Sequence, residues 1–137
     1  MAFGKTFAIV KPDGVMKGLV SQILLRYKDA GLSVEVVELH VRLQLSQVAG
    51  LYLEHRGKPY FEGLLLSMTS GPCAILWIEG ENAVERVRRL NGPTKDAPEG
   101  TIRGDFKSAG GPFNIVHAPD SLAAAEREWE ALGFKDG

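Results

Sequence analysis

A chain of 137 residues, 45% hydrophobic and 24% charged, is long enough to build a core without staples, and residues 1–137 read as one domain. A formal net charge of −1 provides no broad basic field, and no stretch approaches the roughly 18 apolar residues of a membrane span, so neither nucleic acid nor a membrane is expected as a partner. Cys73 is the only cysteine, which excludes an internal disulfide and a zinc–thiolate cluster. With no apolar leader in Met1–Val10, this usage points to a reducing, cytoplasmic setting.

In chain order, Thr6–Val10 is β-branched and aromatic, as a strand requires, and Lys11-Pro12-Asp13-Gly14 is a run of turn residues that ends it. Leu19, Ile23, Tyr27 and Ala30 then recur at helical spacing, with Gly31 as the stop. Leu32–Leu43 alternates as a strand, but its phase slips where Val36 and Val37 are both apolar, which predicts a β-bulge at that pair. Val48, Leu51 and Tyr52 predict a second helix, broken by Gly57 and Pro59, and Phe61, Leu64, Leu65 and Met68 a third. Cys73–Ile78 is continuously apolar, the pattern of a central strand covered on both faces. Val84, Val87 and Leu90 mark a helix whose other side carries Arg86, Arg88 and Arg89, and Glu79 and Glu81 read as surface groups at its start. Asn91–Phe113 is rich in Gly, Pro and charge, and a loop of that length is usually functional or mobile. The order predicts an α+β sandwich of the ferredoxin-like βαββαβ plan, a four-stranded antiparallel sheet with helices on one face.

The last strand and helix meet at Asn114-Ile115-Val116-His117-Ala118-Pro119-Asp120-Ser121. Asp120 or Ser121 can cap a helix whose Leu122, Ala125, Trp129 and Leu132 form one apolar stripe. His117 therefore belongs at the lip between a strand and a helix start, where a histidine serves as nucleophile, general base, metal ligand or plain turn residue. His40 sits on the polar phase of its strand, and His55 at a helix end beside Arg56, where a cation suits the dipole. The three histidines lack metal-ligand spacing, so no protein metal ligand is assigned. There is no G-x-x-x-x-G-K-[ST] loop and no G-x-G-x-x-G after a strand, and Gly110-Gly111-Pro112 signals only a turn. Phosphoryl chemistry needs cations around the displaced group, and Lys11, Arg88 and Arg103 are the candidates. Pro12 biases Lys11 toward an extended backbone and Gly14 permits a tight turn after it.

Taken together, the motifs resemble the nucleoside diphosphate kinase family. They are Thr6–Val15 with Gly18-Leu19-Val20, Lys58-Pro59-Tyr60-Phe61 with Gly63-Leu64, Ser70-Gly71-Pro72, Gly100–Phe106 and Asn114–His117, in the family's order from about Thr6 to Trp129. The resemblance implies transfer of the γ-phosphoryl group of a nucleoside triphosphate such as ATP to a nucleoside diphosphate, by ping-pong kinetics through a phosphohistidine at His117 Nδ1. It places Arg88, Arg103 and Thr94 at the phosphates, Lys11 near the transferred group and the ribose, and Asn114 at the sugar. It places Tyr52 near the histidine and Tyr60, where the family usually has phenylalanine, under the base; Glu128 would orient the imidazole. It further implies Mg²⁺ carried in with the nucleotide, and a homo-oligomer, tetramer or hexamer.

Several positions depart from the family pattern. Pro119 replaces the usual serine and removes a hydroxyl near the Glu128–His117 pair, which predicts weaker orientation of His117 unless another hydroxyl or a water meets Glu128. Asn91–Glu99 is shorter than in many relatives and Lys107–Phe113 replaces a Gln-Val-Gly-Arg-like run; the resemblance implies that both loops border the nucleotide or subunit contacts, and the chain stops at Gly137 without the longer tail of some relatives. Two other readings are a catalytically silent nucleotide-binding scaffold and a phosphocarrier that serves other proteins. Neither needs Lys11, Tyr52, Arg88, Arg103, Asn114, His117 and Glu128 all intact.

Overall fold

The computed structural model describes residues 3–107, 110 and 112–134. Strand β1 (Phe3–Val10) runs into a short helix α1 (Pro12–Met16) and then α2 (Val20–Asp29). Strand β2 (Ser33–Val41) is followed by α3 (Leu45–Leu51), one 3₁₀ turn (Leu53–His55) and α4 (Phe61–Thr69). Then come β3 (Cys73–Glu81), α5 (Ala83–Asn91), a four-residue helix α6 (Ile102–Asp105), β4 (Val116–His117) and α7 (Leu122–Ala131). The sheet is antiparallel throughout, in the order β2-β3-β1-β4, which is the ferredoxin-like arrangement.

Helices cover both faces of this sheet, not one. Ala8 and Val10 of β1 join Leu76 and Ile78 of β3 under Ile23 and Tyr27 of α2 and Val87 of α5. Phe7 and Ile9, on the alternate phase, join Ile75 beneath Val48 and Leu51 of α3, Met68 of α4 and Trp129 of α7. Period-two alternation sends successive side chains to opposite faces, so strands apolar in both phases must be covered twice. The same physics explains the unbroken apolar run of β3, which lies inside the sheet.

The register of β2 against β3 slips between Val36 and Glu38, as the doubled valine predicts, and again between Glu38 and Val41. Lys11–Gly14 is not a bare turn: Pro12 opens α1, where its missing N–H costs nothing and its fixed φ suits the helix. Glu79 and Glu81 lie in the end of β3 rather than at a helix start, and Glu79 accepts a hydrogen bond from Trp77 Nε1 at 2.7 Å. The Asn91–Phe113 segment contains α6, whose N-cap Thr101 accepts from the Gly104 amide at 3.0 Å. His40 is exposed on β2. Ser121, not Asp120, caps α7, accepting from Ala124 N at 3.0 Å. Of the altered Lys107–Phe113 run, Ser108, Ala109 and Gly111 lie outside the described residues, as do Met1, Ala2 and Gly137.

Candidate active site

Strands β1 and β4 bring the first and last motifs together. Ile9 pairs with His117 and Val10 with Val116, so Lys11, the residue that follows β1, falls beside the turn that precedes β4. Lys11 has the extended backbone (φ −69°, ψ 165°) favoured before a proline. Its side chain is buried, and Nζ donates to Asn114 Oδ1 at 2.8 Å and to Pro112 O at 3.1 Å. Burial, and next the positive charge of Arg103, pull the Lys11 pKa from 10.5 to about 8.

The turn itself is strained. Ile115 has φ +76°, unusual for a β-branched residue, and Val116 N–H donates to Asn114 O at 2.9 Å across it. This is a three-residue γ-turn of the rare positive-φ hand, which costs on the order of 1–3 kcal/mol. Its neighbours hold it. Ile115 N donates to Asp13 Oδ2 at 3.1 Å, and Ile115 O accepts from Lys11 N at 2.8 Å. Gly14 of α1 presses against this turn so closely that a Cβ there would meet Ile115 O at 3.2 Å and Val10 Cγ1 at 2.8 Å.

Arg103 brackets the same turn from α6. Nε donates to Asn114 O at 3.1 Å and Nη2 to Val116 O at 2.6 Å, while Nη1 donates to Gly92 O at 2.6 Å after α5. Three of its five N–H groups are thus spent on carbonyls, Nε entirely, and one N–H remains on each terminal nitrogen. Burial lowers the Arg103 pKa. Arg88, on α5, donates from Nη1 to Ala118 O at 3.3 Å and lines the same cleft.

His117 Nε2 lies 2.7 Å from Glu128 Oε1, with side chains 12% and 5% exposed. With the carboxylate as acceptor, Nε2 carries the proton and Nδ1 keeps its lone pair. Glu128 is delivered by α7, which is locked by Trp129 against Phe7 (ring centroids 5.2 Å), Trp77 (4.7 Å) and Phe134 (4.5 Å). The Tyr52 ring meets the imidazole edge-on at 5.2 Å. Its buried hydroxyl has no hydrogen-bond partner among the described residues, and burial, then the Glu128 charge, raise its pKa. The second oxygen of Glu128 faces a cation rather than a hydroxyl: Arg127 Nη2 lies 3.6 Å from Oε2.

One cleft of about 570 Å³ is lined by all nine residues singled out in the sequence: Lys11, Tyr52, Tyr60, Arg88, Thr94, Arg103, Asn114, His117 and Glu128. Three cations thus converge in a chain of net charge −1. Tyr60 and Thr94 stand at its exposed rim. The sequence reading missed His55, which also lines the cleft and whose Nδ1 lies 2.8 Å from Tyr60 Oη. It missed the structural use of Asp13 too, although that residue stood inside a quoted motif. Among the described residues no group of three or more His, Cys, Asp or Glu could hold a metal ion.

This histidine–carboxylate pair faces clustered cations on a ferredoxin-like sheet. The family model described as nucleoside diphosphate kinase matches residues 4–136, and the chain belongs to that family of phosphotransferases. It is 48% identical over 125 residues to a nucleoside diphosphate kinase of Caldanaerobacter subterraneus subsp. tengcongensis, covering 90% of this chain and 88% of that one. A Hyperthermus butylicus relative of the same name is 42% identical, with 99% and 95% covered. Among solved structures, the Halobacterium salinarum nucleoside diphosphate kinase in complex with CDP superposes with a TM-score of 0.89 at 38% identity, covering 98% of this chain and 90% of that one. The Aquifex aeolicus enzyme gives 0.88 at 32%, covering 98% and 96%. Among the described residues no helix is long and apolar enough to cross a membrane.

Proposed function

We propose that this protein transfers the γ-phosphoryl group of a nucleoside triphosphate, ATP among them, to a nucleoside diphosphate through a phosphohistidine at His117. The observation that carries the reading is the Glu128–His117 pair, which leaves Nδ1 as a nucleophile beside Lys11, Arg88 and Arg103. In the first half-reaction the Nδ1 lone pair attacks the γ-phosphorus. An N–P bond forms, the bond from phosphorus to the β–γ bridging oxygen breaks, and the diphosphate leaves with that electron pair. In the second, a terminal phosphate oxygen of the acceptor diphosphate attacks the same phosphorus and the N–P bond breaks. Imidazole is regenerated, and the kinetics are ping-pong.

Arg88, Arg103 and Thr94 hold the phosphates in this reading, Lys11 lies by the transferred group and the ribose, and Asn114 contacts the sugar. Tyr52 flanks the imidazole, and Tyr60 at the rim stacks on the base, which tolerates any base because stacking needs only a π face. Mg²⁺ bound with the nucleotide would neutralise phosphate charge as the terminal group moves. The relative solved with CDP, a nucleoside diphosphate, supports this substrate class. A homo-oligomer, tetramer or hexamer, belongs to the same reading. The apolar, exposed Val36 and Leu39 on edge strand β2 support it, and mass in solution tests it. A cytoplasmic setting fits the single, buried, free Cys73.

Incubation with γ-labelled ATP and then GDP tests the chemistry. Label should appear on the protein and then on GTP, and His117→Ala should lose both while keeping its thermal transition. Label that never reaches the wild-type protein refutes the reading, and label retained by His117→Ala moves the nucleophile elsewhere.

A further inference from the structure

Glu128 can fix the imidazole only if its own carboxylate is fixed. One oxygen, Oε1, is taken by His117 Nε2. The other faces the guanidinium of Arg127, the preceding residue of α7, at 3.6 Å. Consecutive helix residues point about 100° apart, so Arg127 reaches this carboxylate by folding its long side chain back across the helix. It is held in that pose by a different part of the fold. Nη1 donates to Gly50 O of α3 at 2.9 Å, and Nη2 donates to Glu54 Oε1 in the following 3₁₀ turn at 3.1 Å. Between those two anchors lies Tyr52, whose ring meets His117.

We infer that Arg127 is a positioning residue for phosphoryl transfer, a clasp that ties α7 to the α3 segment and orients Glu128 toward His117. The inference rests on the phosphohistidine reading above and deepens it. A surface ion pair contributes little by itself, and Arg127 is 36% exposed, so its effect on folding should be small. Its effect on the reaction is different in kind. Glu128 is nearly buried, and a carboxylate free to rotate about its terminal bond would lose the single geometry that keeps the proton on Nε2. The guanidinium, hydrogen-bonded to the Gly50 carbonyl and the Glu54 carboxylate and held as a charge 3.6 Å from Oε2, restricts that freedom.

A double-mutant cycle read by rapid-quench labelling of His117 with γ-labelled ATP tests this. The four proteins are wild type, Arg127→Gln, Glu128→Ala and the double variant. Arg127→Gln should slow labelling about three- to tenfold with nucleotide affinity within about twofold of wild type. In the Glu128→Ala background the same change should alter the rate by less than about twofold, because the group it orients is gone. Arg127→Lys should recover part of the loss, since it keeps a cation opposite Oε2. Equal proportional slowing in both backgrounds, or no slowing in either, overturns the inference while leaving the phosphohistidine reading intact. A wild-type protein that never labels overturns both. Should Arg127→Gln not fold, Glu54→Gln removes one of the clasp's anchors and must show the same dependence on Glu128; additive losses there overturn the inference equally.

Discussion

Replacing Arg103 with lysine separates charge from geometry at the strained turn. Lysine keeps a positive charge in the cleft but offers one ammonium in place of three nitrogens aimed at the carbonyls of Gly92, Asn114 and Val116. About two of those three bonds are lost. Hydrogen bonds from a charged group are worth about 1.5–3 kcal/mol each, and the lower value suits a half-buried side chain, so the cost is about 3 kcal/mol. A 137-residue chain has an unfolding entropy of about 0.29 kcal/mol/K near its midpoint, which converts that cost to a fall of about 10 °C in Tm. The loss is local as well as global. The positive-φ turn at Ile115 is strained, and with its bracket gone the Val116 amide should lose hydrogen-exchange protection ahead of the strands. Calorimetry and amide exchange on Arg103→Lys read both effects. A fall of less than about 3 °C, with the Val116 amide still protected, would refute the claim that this arginine holds the turn.

Two further predictions follow from Lys11 and Tyr60. Lys11 has its folded pKa lowered to about 8, so between pH 8 and 10.5 the unfolded chain holds a proton that the native one has released, and stability should rise with pH across that window. Below about pH 8 both states are protonated and the full burial penalty is present, so Lys11→Met should flatten the rise in pH-dependent denaturant titrations, while its kinase activity falls. The wild-type kcat/KM should decline on the alkaline side near pH 8 as the ammonium loses its charge; a profile flat to pH 10 would exclude Lys11 as a phosphate-facing cation. Tyr60→Phe keeps the ring and loses only the His55 bond, so KM for nucleotides should change less than about threefold, whereas Tyr60→Ala should lose about 1–3 kcal/mol of stacking, seen as a KM rise of at least about fivefold. Equal KM values for the two variants would remove the base from this rim.

The sequence disclosed the sheet and the site by different routes, and each route had its own blind spot. Strands were legible because side-chain alternation is a local signal, and the doubled valine at Val36-Val37 even revealed where β2 breaks register. The same alternation held the answer on the helices. Phe7 and Ile9 are as apolar as Ala8 and Val10, so β1 could not have left either face to water, and the expectation of helices on one face conflicted with its own strand readings. The nine candidate residues that line the cleft were nameable through the family resemblance, and the sheet order then brings Lys11 to His117 across more than a hundred residues. What stayed hidden was backbone chemistry. No residue type announces that Arg103 spends its nitrogens on three carbonyls, that Asp13 holds an amide in a γ-turn, or that Arg127 bends back to its own neighbour. Those partners are chosen by the fold after the strands pair, and a carbonyl belongs to every residue alike. The groups that would touch substrate are therefore readable from the chain, while the groups that keep them in place become visible only when the backbone they grip has been folded beside them.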